Sequence, residues 1–242
     1  MTDTNRCDIP PRALQAVLWD MDGTLVDTEP AWNAAHAAIL AEHGVEFTDE
    51  LAHRLQGQTM AATAEIFSSL GVQIPAEELT RMEYERVTAQ VVGHAPLTPG
   101  AADLLADLNK RAVLHAVVSA SFTSLIESVL SAVPNHGFTA TVGGDQVTHG
   151  KPDPEPYLTA VARLGLDRAA ESGRVVVLED SVPGILSGLS AGLPTVAIRR
   201  TGSVPLPDQI TEHRLARSGK LLVVNSLTEV SYQRLQDWVA PS

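Results

Sequence analysis

Six stretches of the chain are apolar almost without interruption: "LQAVLW" at 14–19, "VLHAVVS" at 113–119, "TATVGG" at 139–144, "RVVVLED" at 174–180, "PTVAIR" at 194–199 and "KLLVVN" at 220–225. They are short, rich in valine and lack the alternation of a strand wetted on one face. Such runs predict strands covered on both sides, hence a parallel sheet between helix layers. About thirty residues suffice for a strand-helix-strand unit, yet about ninety separate the first run from the second. The excess reads as four helices: "AWNAAHAAILAEHG", "DELAHRLQG", "MAATAEIFSSLG" and "PAEELTRMEYERVTAQVVG", each closing near a glycine. The expected organisation is therefore α/β. A Rossmann-like parallel-sheet core with helices on both faces occupies 13–29 and 97–242, an all-α, four-helix cap is inserted at 30–96, and 1–12 form a loose tail. The joints at 27–30 and 95–100 carry Pro and Gly residues suited to a hinge.

In an open α/β sheet, ligands gather beyond the carboxyl ends of the strands. After the first run stand Asp20, Asp22, Gly23 and Thr24; after the second, Ser119, Ala120 and Ser121; after the fourth, Glu179 and Asp180. Lys151 lies between the third and fourth, directly before a proline that restrains its loop. Two carboxylates one residue apart resist ionising together unless a cation or a proton is shared between them. Carboxylates, hydroxyls with backbone N–H groups, and one ammonium make the inventory of a magnesium-phosphate site.

Composition sharpens this picture. With 242 residues, 44% of them apolar, the chain can bury a full core and an inserted domain. Seventeen basic against 29 acidic side chains leave a net charge of −12. That charge repels nucleic acid and anionic membrane surfaces, so an anionic substrate must meet a local exception. No apolar run approaches the roughly 18 residues of a membrane span, and no basic region followed by an apolar one opens the chain. Cys7 is the single cysteine and cannot form an internal disulfide. A cytoplasmic protein is expected, free of nucleic acid and membrane.

Each feature also has an ordinary explanation. An Asp-Gly pair is most often a plain turn. Ser119 could cap a helix starting near Phe122, Glu179 and Asp180 could be surface charge or a cap, and Lys151, one of only three lysines, could form an exposed salt bridge. Their coincidence at four strand ends outweighs these separate accounts.

The motifs "DMDGTLVD", the Ser of "VVSAS", the Lys of "GKPDPEPY" and "LEDSVPGILSGLSAG" resemble, in this order, those of the haloacid dehalogenase (HAD) superfamily. The likeness runs from Leu14 to about Val224 and is to the β-phosphoglucomutase-like branch of phosphatases and phosphomutases, whose helical cap follows the first strand. It implies that Asp20 is the nucleophile and Asp22 the general acid and base. Lys151 joins them in catalysis, and with Gly23, Thr24, Ser119 and Ala120 it holds the phosphoryl group. Asp20, the backbone carbonyl of Asp22, and Asp180 would bind Mg²⁺, with Glu179 helping directly or through water. Within the cap, "RLQGQTM" is similar to the family's specificity loop, which puts Arg54, Gly57, Gln58 and Thr59 near the substrate.

Departures from the family narrow the chemistry. Dehalogenases lack the second Asp, which is present here as Asp22. Phosphonatases use a cap lysine, and residues 30–96 contain none. β-Phosphoglucomutase uses a His twelve residues after the nucleophile and a cap Lys; here Trp32 stands at the first position, and the cap offers only Arg54, Arg81 and Arg86. The expected protein is a Mg²⁺-dependent, monomeric phosphatase acting on a small phosphorylated metabolite. The polar cap and the scarcity of aromatics favour a sugar or polyol phosphate over a nucleotide. A sugar phosphomutase and a non-catalytic phospho-ligand binding protein are the alternatives.

Overall fold

The computed structural model describes residues 13–56, 58–167, 170, 173–199 and 205–239. The expected tail, with Cys7, and the cap residue Gly57 lie outside the described residues.

All six apolar runs form strands: β1 Ala16–Trp19, β2 Leu114–Val118, β3 Ala140–Val142, β4 Val175–Glu179, β5 Thr195–Ile198 and β6 Leu221–Val224. They join in one sheet of order β3-β2-β1-β4-β5-β6, parallel throughout. The strands are shorter than the runs: each run loses one or two residues at its start, and all but the first also lose one or two at the end, where the chain enters the loops above the sheet. Alternate side chains supply both faces. Val17, Trp19, Val117, Val176 and Leu178 enter one core cluster, and Leu18, Ala116, Val118, Val175 and Val177 enter the other. Helices α5 (Ala101–Lys110), α6 (Thr123–Ser131) and α10 (Tyr232–Val239) cover the first face, and α7 (Glu155–Arg163) packs on the second. Further along that second side, α8 (Val182–Ser190) and the short α9 (Asp208–Thr211) pack with Ala197 of β5.

Four helices fill the long interval between β1 and β2: α1 Glu29–Glu42, α2 Asp49–Leu55, α3 Met60–Ser69 and α4 Ala76–Val91. Ile39, Leu40, Leu51, Leu55, Phe67 and Leu79 give them an apolar cluster of their own. The chain enters and leaves this group along paired segments: Asp27 N–H donates to the Pro96 carbonyl at 2.8 Å, and Thr98 N–H to that of Leu25 at 3.0 Å. Among the described residues, no helix is long and apolar enough to cross a membrane.

Topology places the chemistry. From β1 the chain builds outward through β2 and β3, then returns to the other side of β1 with β4, so the crevice beyond these strand ends lies at the switch point. Register pairs Trp19 with Leu178 and with Val117. The next residues, Asp20, Glu179 and Val118, therefore finish at one level.

Candidate active site

Asp20 is fixed by its own N–H, which donates to the Leu178 carbonyl at 3.0 Å. Its carboxylate meets Lys151, whose Nζ lies 2.7 Å from Asp20 Oδ1, 2.6 Å from Glu179 Oε1 and 2.8 Å from the Val118 carbonyl. Three protons thus find three acceptors. The Lys151 side chain is only 5% exposed, and that of Glu179 is fully buried, so this is an interior ion cluster and no surface bridge. Burial above all, then the neighbouring Glu179, holds the Asp20 carboxyl well above the usual range, while Lys151 pulls the other way. Burial alone would lower the Lys151 ammonium; the Asp20 and Glu179 carboxylates outweigh it and raise it.

Asp22 sits in different company. Its Oδ1 accepts from Thr28 Oγ1 at 2.6 Å and Trp32 Nε1 at 3.4 Å, and its Oδ2 from Ser119 Oγ at 3.1 Å and Ser121 Oγ at 2.9 Å. Ser119 is not the cap of α6, as it accepts the Ser121 N–H at 2.9 Å while Asp145 takes the N–H and hydroxyl of Thr123. Thr28 and Trp32 are additions to the predicted site. Ser121 stands in the sequence's strand-end inventory beside Ser119 without an assigned role, and its hydroxyl bonds Asp22. Trp32 carried a positional signal, the twelve-residue offset from Asp20, but its residue type pointed to packing. Thr28 precedes α1 as an apparent cap; its hydroxyl instead reaches back to Asp22.

Trp32 also meets Tyr84 of α4 edge to face, with ring centroids 5.5 Å apart, and Tyr84 stacks on Phe122 at 4.3 Å. Burial pushes the Tyr84 hydroxyl up to about 12 against the lowering effect of its bond to Ser121, and the Asp22 charge adds to the rise. Three of the chain's ten Phe, Trp and Tyr residues are thereby gathered beside one carboxylate.

The donor set fits a hard cation. Asp20, Glu179 and Asp180 each offer an oxygen, all lying within 4.8 Å of one another, and the Lys151 ammonium is bonded to two of the three, Asp20 and Glu179. Gly23 makes the approach possible: at φ +85° it adopts a conformation that L side chains rarely take, and a Cβ there would overlap the Asp180 carboxylate. Thr24 turns its hydroxyl to Asp180 Oδ1 at 3.2 Å.

Other predicted residues are placed less tightly. Ala120 is exposed between the two serines. Arg54 and Gln58 are exposed, and the Thr59 hydroxyl accepts the Ala62 N–H as the cap of α3. Among the described residues, none of these three is hydrogen-bonded to Asp20, Asp22, Ser119 or Lys151.

This geometry agrees with the wider comparison. The model of the haloacid dehalogenase-like hydrolases matches residues 14–192. The chain belongs to this family. It is 35% identical over 190 residues to the N-acetylmuramic acid 6-phosphate phosphatase of Pseudomonas putida, covering 77% of this chain and 83% of that protein. Identity to hexitol phosphatase B of Escherichia coli is 29% over 233 residues, covering 93% and 98%. A HAD family hydrolase from Deinococcus radiodurans, whose crystal structure holds phosphate and sodium, superposes with a TM-score of 0.69 at 27% identity, covering 96% of this chain and all of that one. This HAD hydrolase thus has phosphatases among its relatives, and the sheet-end carboxylates occupy the part of the chain that the family model spans.

Proposed function

We propose that this HAD hydrolase cleaves a small phosphomonoester, a sugar or polyol phosphate, through covalent catalysis at Asp20. The observation that carries this reading is the contrast between two carboxylates two positions apart. Asp20 is packed against Lys151 and the other acids, whereas Asp22 is held by hydroxyl and indole donors on the side facing the four inserted helices.

Asp20 attacks phosphorus; the bond to the ester oxygen breaks, and that oxygen takes a proton from Asp22. Water then attacks phosphorus, giving its proton to Asp22, and the bond to Asp20 breaks to release inorganic phosphate. Lys151, its protons occupied by protein acceptors, acts on the phosphoryl group and on Asp20 by its charge. Ser119 can exchange its bond to Asp22 for one to a phosphoryl oxygen. The donor set for Mg²⁺ is Asp20, the carbonyl of Asp22, Asp180 and, directly or through water, Glu179. When bound, the cation offsets the negative charge gathered between substrate and carboxylates.

The inserted helices, residues 30–96, serve as the cap that selects the substrate, with Arg54, Gln58 and Thr59 reaching the leaving group when it closes. The aromatic group does not alter the substrate class. Tyr84 is buried with its ring stacked on the more exposed Phe122, so Tyr84 itself presents no open platform for a base. The phosphatases of P. putida and E. coli named above support a phosphorylated carbohydrate or hexitol.

The test is a screen of phosphorylated sugars, amino-sugar acids and hexitols with Mg²⁺, following inorganic phosphate. β-Glucose 1-phosphate, with and without glucose 1,6-bisphosphate, is included. Release of phosphate without isomerisation is expected. Bisphosphate-dependent formation of glucose 6-phosphate with little phosphate release would replace this reading with a mutase.

A further inference from the structure

Glu179 has no lone pair to spare. Its Oε1 accepts from Lys151 Nζ at 2.6 Å and from the Tyr157 hydroxyl at 3.1 Å; its Oε2 accepts from the Ser181 N–H at 2.9 Å and the Ser181 hydroxyl at 3.0 Å. A carboxylate has about four acceptor positions, and here four donors fill them. Its side chain is fully buried, and a Cβ at Gly184 in the first turn of α8 would overlap its carboxyl group. The carboxylate is thus seated against the start of α8. Asp180 is by contrast half-buried and lies over Gly23.

Tyr157 is the member of this set that packing does not explain. Its ring is fully buried in the core under the sheet, a place that phenylalanine would fill equally well. A hydroxyl taken into such a site costs stability unless it is bonded, and its partner is Glu179. Tyr157 and Lys151 come from one short segment, "KPDPEPY", so the segment that supplies the cation also supplies the group that orients the cation's second carboxylate. The Lys151 ammonium lies 5.1 Å from the Tyr157 ring centroid.

We propose that Tyr157 is a positioning residue that commits Glu179 to Lys151 and keeps it from ligating the cation directly. Asp20, Asp180 and backbone oxygen would then be left to hold the cation, while Glu179 holds the ammonium against Asp20. This inference rests on the phosphatase reading for the meaning of Lys151. Without the hydroxyl, Glu179 Oε1 keeps one donor, draws more fully on Lys151 or turns to the cation, and either motion takes the ammonium from Asp20.

The experiment uses Tyr157→Phe, which removes one oxygen and keeps the ring, with Asp180→Ala as reference. Mg²⁺ is titrated into the intact wild type and both variants by calorimetry, and p-nitrophenyl phosphate hydrolysis is measured at saturating Mg²⁺. The expected result for Tyr157→Phe is Mg²⁺ affinity equal to or tighter than wild type, with kcat down about tenfold and KM within about twofold. Asp180→Ala should bind Mg²⁺ at least about tenfold more weakly. Weaker Mg²⁺ binding in Tyr157→Phe would show that Glu179 serves the metal and overturn the proposal, as would wild-type kcat and KM. Failure of the wild type to hydrolyse any phosphomonoester would instead count against the phosphatase reading, and the Mg²⁺ titration would still decide where Glu179 is committed.

Discussion

Trp32 Nε1 donates to Asp22 Oδ1 at 3.4 Å, so the first inserted helix directly touches the carboxylate proposed above as the acid. Trp32→Phe keeps the edge-to-face partner Tyr84 but removes the donor. The expected outcome is a fall in kcat of several-fold with thermal stability close to wild type, since three hydroxyl donors still hold Asp22. Unchanged kcat would mean that the indole contributes packing alone.

Asp22→Ala should slow alkyl phosphates far more than p-nitrophenyl phosphate, because an aryl oxide leaves without needing a proton. Steady-state rates on one substrate of each kind measure the ratio. Equal losses on both would remove Asp22 from the role of acid.

Asp180→Ala and Lys151→Ala should respond differently to the metal. Loss of one oxygen ligand weakens Mg²⁺ binding, so excess Mg²⁺ restores part of the Asp180→Ala activity. Lys151→Ala loses a charge that acts on Asp20 and the phosphoryl group, and added Mg²⁺ should leave its low kcat where it is. A shared response to the metal would merge the two roles.

The core holds a separate, pH-dependent element. His115 of β2 is 1% exposed between Trp19 and Phe138, its ring nitrogens without a hydrogen-bond partner, and burial pushes it down to about 4 from 6.5. Below pH 6.5 the unfolded chain takes up a proton that the folded chain refuses until about pH 4. Stability is therefore lost as pH falls through that window, by up to about 3 kcal/mol. Denaturation midpoints of wild type and His115→Phe, compared at pH 7 and pH 4.5, should move apart in favour of the variant at the lower pH. A difference independent of pH would show that His115 titrates alike in both states.

Much of this arrangement could be read in advance. The strands were legible because Val-rich runs such as "RVVVLED" have no polar face to wet, Asp20 and Glu179 because charge at the end of such a run is costly without a reason, and Lys151 because it is one of only three lysines and stands directly before a proline. The surroundings of Asp22 were less so. Thr28 and Trp32 lie on the first inserted helix or just before it, and their meeting with Ser119 and Ser121 depends on how that helix docks over the sheet. Local pattern carries no record of such an angle. Tyr157 was hidden for a related reason: "EPYLTAVAR" reads as a helix with an apolar face, and only the three-dimensional register reveals that the hydroxyl of its tyrosine ends on Glu179.

The central claim is that Asp20 forms the covalent bond to phosphorus, and Asp20→Asn tests it most directly. The amide keeps the size of the side chain and a contact for Lys151 but is a poor nucleophile. Phosphate release from the best substrate of the screen, measured at saturating Mg²⁺ on a variant with wild-type circular dichroism, should fall by at least about a thousand-fold. Retention of more than a few per cent of wild-type turnover by that folded variant would contradict the covalent mechanism.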